Sequence, residues 1–233
     1  MSSIKTTARL AGSLYLAMGI LAWFSMMYVP SVFLVRGDAT ATARNVVNAA
    51  ALYRLGILSQ LASQTIFVFL VLVLYDLFKD VDRQYARLMV TLVAISVAFE
   101  FVNCLNLVAP LILLSGADFL SVFTKAQVDA LAMVFLKLRN EGLGIVSALW
   151  GLWLLPFGVL VLKSRFIPRI LGVLLIVACF AYLADSVTSI VFPTRTQMVS
   201  SVTLPLGGLG ELLIVLWLLT MGANTHQPEV SLA

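Results

Sequence analysis

Charge is what this chain has least of. Only 11% of its 233 residues are Asp, Glu, Lys or Arg, where soluble domains carry about 25%. With 61% hydrophobic residues, there is too little polar surface to cover a soluble core, and the bilayer must serve as solvent. Histidine is nearly missing: His226, in a polar C-terminal stretch, is the only one. That excludes an HExxH-type zinc centre and, with no histidine in any apolar run, a serine hydrolase using a histidine base. The two cysteines, Cys104 and Cys179, each lie inside an apolar run and read as small packing residues. No GxxxxGK[ST] phosphate loop occurs, and the net charge of +4 is scattered, with none of the basic runs or faces that nucleic acid binding uses. No cofactor and no metal are expected, and nucleic acid is not an expected partner.

What the chain does have is apolar runs. A span needs about 20 such residues, and six runs qualify, at about 10–35, 55–77, 88–114, 143–162, 170–192 and 204–221. Their solid hydrophobicity lacks the alternation of barrel strands, and helices satisfy their own backbone in lipid. The fold expected is all-α: a polytopic membrane protein, a six-transmembrane-helix bundle forming a single integral membrane domain over 1–233. The first run is too long for a signal peptide and reads as a retained span that Pro30 ends or kinks. Residues 40–53 suit a helical lead-in to the second span. Between spans three and four, Val128, Leu131, Phe135 and Leu138 recur at helical spacing with Lys125, Asp129, Lys137 and Arg139 on other faces. Thr124 followed by Gln127 makes a capping box. An amphipathic helix along the membrane surface, over 124–139, is expected there, packing of the same helix on protein being the alternative. Trp23, Trp150, Trp153 and Trp217 suit interfacial anchoring or helix packing.

Basic residues in the short links set orientation. Lys5, Arg9, Lys79, Arg83, Arg87, Lys163, Arg165 and Arg169 fall on one side, against Arg36, Arg44, Arg54, Lys125, Lys137, Arg139 and Arg195 on the other. The Lys163–Arg169 link, three positives without an acid, places both termini in the cytoplasm.

Three acids interrupt the apolar runs: Glu100, Asp185 and Glu211. A charged side chain at mid-bilayer costs about 2.5–3.5 kcal/mol on insertion scales and normally faces protein or a wet cavity. In this topology Glu100, Asn103, Asp185, Glu211 and Gln60 fall in the middle or outer half of their spans, with Arg54 at the head of the second. The inner halves are almost purely apolar. The expected site is therefore an outward-facing polar pocket formed by Glu100, Asn103, Asp185, Glu211, Arg54 and Gln60, with Arg54 as the basic partner of one acid. Its ligand would be a small polar or cationic molecule or a proton, bound or moved. Two other classes fit the same residues: an accessory subunit whose acids meet a partner membrane protein, and, less well, a lipid-modifying enzyme with 124–139 gating lipid entry. Only Asp185 could serve an aspartyl dyad, so an intramembrane aspartyl protease does not fit.

Three stretches carry a resemblance: YRLGILSQL from Tyr53 with LYDLFKDVDR at 74–83, KSRFIPRILGVLLIVACFAYLADS at 163–186, and GELLIVLWLL at 210–219. Together the chain resembles a bacterial family of multi-pass membrane proteins, the domain of unknown function 4386, with SRFIPRILG the most specific part. The resemblance implies six helices in a bacterial cytoplasmic (inner) membrane. It brings no catalytic residue or ligand with it.

Overall fold

The structure is a computed structural model and describes residues 4–222; His226 lies outside them. Every regular element among the described residues is helical. In chain order they are α1 (Ile4–Trp23), a π-helical turn (Phe24–Tyr28), α2 (Val29–Phe33), α3 (Ala39–Asn48), α4 (Ala50–Phe78), α5 (Arg83–Asn103), α6 (Leu105–Leu113), α7 (Lys125–Lys163), α8 (Arg169–Val191) and α9 (Thr196–Thr220), with 3-10 turns at Asp118–Leu120 and Pro193–Arg195. Six helical stretches are long and apolar enough to cross a membrane: Ile4–Phe33, Ala50–Phe78, Arg83–Leu113, Lys125–Lys163, Arg169–Val191 and Thr196–Thr220.

Each span packs on its neighbours in sequence, α1 on α4, α4 on α5, α5 on α7, α7 on α8 and α8 on α9, and contact of α9 with α1 closes the ring. Small residues permit the closest approaches, as is usual where helices meet in lipid. Gly144, Gly151 and Gly158 recur every seven residues along the face of α7 that meets α8. A Cβ on Gly151 would come within 2.9 Å of the Cys179 carbonyl oxygen, and one on Gly158 within 2.8 Å of the Gly172 carbonyl oxygen.

The interior divides by depth. One half is filled by Leu70, Leu74, Phe78, Met89, Phe157, Leu160, Leu175 and Leu218, all buried and apolar. At mid-bundle Trp153 meets Phe67 at 5.1 Å, Phe157 at 5.4 Å and Tyr15 at 5.9 Å between ring centroids. The other half holds buried Gln60, Gln64, Glu100, Asn103, Arg139 and Asp185.

Two local features position the site. Pro30 has no N–H to give the carbonyl of Met26, and the turn just before it widens into the π-helical Phe24–Tyr28. Such turns often occur at functional sites. The second is a departure from expectation. The amphipathic helix forms, with both bonds of the Thr124–Gln127 capping box, yet it does not stop before the fourth span. Nothing between Arg139 and Leu143 breaks a helix strongly, since Gly142 costs only about 1 kcal/mol relative to alanine. α7 is one rod of 39 residues, about 58 Å long, against a hydrocarbon core of about 30 Å. Asp129, Ala132, Leu136 and Arg139 of its first half are buried against protein.

α5 is joined to α7 by an ion pair near each of its own ends. Asp82 caps α5 by accepting from the backbone N–H groups of Gln84 and Tyr85, and also accepts from Lys163 Nζ at 2.6 Å. Glu100 pairs with Arg139 at the other end.

Candidate functional site

Glu100 is fully buried on α5 and is held from three helices. Arg139 of α7 reaches it with both terminal nitrogens, Nη1 to Oε2 at 3.0 Å and Nη2 to Oε1 at 2.5 Å. Gln60 Nε2 of α4 donates to Oε1 at 2.7 Å. Asn103 Nδ2, one turn along α5, lies 3.4 Å from Oε2 and 3.2 Å from the Arg139 carbonyl oxygen. Asn106 then donates to Asn103 Oδ1 at 3.0 Å. A two-pronged guanidinium–carboxylate contact is the strong form of such a bond, and it offsets part of the cost of taking both charges out of water.

The partner expected for an acid, Arg54, is not the one used. Arg54 is exposed and makes no ion pair among the described residues. The reason is helical geometry: Arg54 and Gln60 are six positions apart, about 240° around the axis, so when Gln60 faces the core Arg54 faces out beside exposed Leu58. Arg139 takes the role because α7 continues as a helix and turns that position inward.

Arg139 also lies in the wall of a cleft of about 560 Å³ between the α1–α2 corner and α7. Ser25 and Met26 of the π-helical turn, Phe33, Leu107, Met133 and Leu136 form much of its lining. Arg36, Lys137, Asn140 and Glu141 stand at its lip, all exposed and none in an ion pair among the described residues. Beneath it, Gln60 Oε1 and Gln64 Oε1 are buried acceptors with no hydrogen-bond partner, so the polar column below the cleft has capacity left for water or a ligand atom.

The other two acids sit elsewhere. Glu211 on α9 accepts from the Tyr15 hydroxyl of α1, and from the Tyr182 hydroxyl of α8 at 2.7 Å. No cation pairs with it among the described residues. Asp185 on α8 accepts from Ser200 at 2.5 Å and Thr203 at 3.2 Å, both on α9. The three acids therefore share no hydrogen-bonding partner. α7 separates the first from the others: Asn103 packs on Gly142, while Ser189 and Ser186 of α8 reach Gly144, two residues on. Two positions of an α-helix are about 200° apart, so these are opposite faces of one rod. Of the expected residues, Glu100, Gln60 and Asn103 come together; Asp185 and Glu211 form separate contacts, and Arg54 joins neither. Arg139, Arg36, Lys137, Tyr15 and Tyr182 were not among them.

Comparison with protein families matches residues 10–222 to the family described as Domain of unknown function (DUF4386). The chain belongs to this family. No curated protein and no solved structure matches it significantly. All residues of the cleft and of the Glu211 centre fall within the DUF4386 match, so both belong to the family's part of the chain and neither is an appendage.

Proposed function

We propose that this DUF4386 protein, a single integral domain of a bacterial cytoplasmic membrane with both termini inside, binds a small ligand bearing an anionic group in the outward-facing cleft beside Arg139. The observation that carries this reading is the charge of the cleft. Two unpaired cations, Arg36 and Lys137, stand at the lip against one carboxylate, Glu141, while Glu100 behind the wall is occupied by Arg139. A cationic ligand, the expectation from three bare acids, would find all three taken by neighbours in the same chain, and only Glu141 free at the lip beside two cations. The same fact weakens the accessory-subunit reading, in which those acids would meet a partner helix. The apolar half beneath Trp153 offers no polar route onward, so binding is the basal act and movement across the membrane would need a second arrangement of the helices.

The test is thermal denaturation of the purified chain with a panel of carboxylates, phosphates and cationic amines. A ligand that binds only the folded state raises stability with the logarithm of its concentration above its Kd. Anions should raise the melting temperature of the wild type and not of R36Q/K137Q. Stabilisation by amines alone would overturn the proposal.

A second reading has its own observation, the cation-free carboxyl of Glu211 between two tyrosine hydroxyls. Such a group suits proton binding in the membrane. If proton movement depends on it, E211Q abolishes proton flux in reconstituted vesicles; unchanged flux in that variant would remove the reading.

A further inference from the structure

Resting on the anion-binding reading of the cleft, we infer that its occupant is an anionic membrane lipid, with its headgroup on Arg36 and Lys137 and the start of its acyl chain against Phe33, Leu107 and Met133. Three observations lead there. The first is depth. The turn of α1 that lines the cleft with Ser25 and Met26 also carries Trp23 and Tyr28, 60% and 45% exposed with stacked rings. Exposed Trp and Tyr mark the boundary between headgroups and chains, so the cleft opens at headgroup level.

The second is the lining. Below the charged lip the wall is mostly apolar, including Met26, Phe33, Leu107, Met133 and Leu136. An inorganic anion would leave these apolar side chains without a matching neighbour, whereas the start of an acyl chain packs against them as it does against other chains in the leaflet. The volume agrees, since about 560 Å³ falls in the range of about 300–1,000 Å³ typical of organic ligands and exceeds what a bare phosphate fills.

The third is access. Leu34 of the lining stands exposed, as do Val32 two residues before it and Leu138 and Val134 on α7 beside the lining residues Lys137 and Met133. On a chain that spans the bilayer these are lipid-facing positions, so a lipid enters sideways from its leaflet without crossing water. The unpaired cations then hold a negative headgroup at the polar end, in the arrangement by which basic residues near a membrane surface select anionic lipids.

The experiment uses the full chain in nanodiscs of phosphatidylcholine with a minor fraction of phosphatidylglycerol, followed by native mass spectrometry of retained lipid. The wild type should keep one phosphatidylglycerol in preference to phosphatidylcholine. R36Q/K137Q should lower that preference about thirtyfold, the loss of two basic residues at an anionic surface. M133W, which fills the cleft and leaves every charge in place, should also displace the lipid. Melting curves of both variants establish that they fold. Lipid retention unchanged in both variants overturns the inference. Equal stabilisation by inorganic phosphate and by phosphatidylglycerol also overturns it, while leaving the anion-binding reading intact. Absence of any effect from either probe removes both.

Discussion

Glu100 and Glu211 are two answers to one problem, a carboxyl group inside a membrane protein. Glu100 is met by a full opposite charge and two amides, from Arg139, Gln60 and Asn103. Glu211 is met only by the hydroxyls of Tyr15 and Tyr182. The first arrangement ties three helices through charge, and neither member can be removed without stranding the other. The second needs no charge on either side, because a protonated carboxyl also accepts from phenols. Glu100 is therefore a fixture of the bundle, whereas a change of charge at Glu211 would leave no charged neighbour uncompensated.

The largest effect that separates them is R139A, which leaves Glu100 buried without its partner. Breaking a buried pair from one side costs about 3–5 kcal/mol, read as a lower unfolding midpoint in detergent. Replacing both, as in E100L/R139L, should recover most of that loss; no recovery would mean that the cavity, not the stranded charge, does the damage. G142A comes next. Its added Cβ would lie 2.3 Å from Asn103 Oδ1, forcing the amide off Glu100 at about 1–3 kcal/mol, the usual cost of overpacking. E211Q should cost less than about 1 kcal/mol, the scale of one exchanged neutral hydrogen bond. A loss in E211Q as large as that in R139A would break the comparison.

The smallest effect lies outside the bilayer, where Lys163 holds the Asp82 carboxyl below its ordinary range by donating a hydrogen bond to it. Since the folded value is depressed, the stabilisation is complete above the usual aspartate value near about 3.9 and disappears as pH falls through the folded one. The wild type should lose midpoint on acidification below about pH 4, and D82N should flatten that limb of the profile. Identical acid limbs would show that the Asp82–Lys163 pair is not coupled to folding.

The six spans were legible because a run of apolar residues states its own purpose in lipid. Glu100, Gln60 and Asn103 were legible as a group because a polar residue in such a run must find protein. Their partner was hidden by the usual rule for basic residues, which places them in loops and at the surface. Arg139 looked like one face of a surface helix, and only the unbroken passage of α7 from Lys125 to Lys163 turns it inward. Arg54 could have been set aside on spacing alone, six positions from Gln60. Tyr15 and Tyr182 gave no signal, since a tyrosine in an apolar run passes as a large hydrophobe until something accepts its hydroxyl. The separation of the acids was also out of reach, because it depends on which helix stands between them.

The double fastening of α5 to α7 has a consequence for motion. α5 is pinned to the antiparallel α7 near both of its own ends, by Asp82–Lys163 and Glu100–Arg139, so sliding or splaying of that pair would break charge contacts. Any widening of the cleft must then come from its opposite wall, where α1 loosens into the Phe24–Tyr28 turn ahead of Pro30. The irregular wall of the cleft is therefore its first helix, at the Phe24–Tyr28 turn, and the regular wall is the α5–α7 pair.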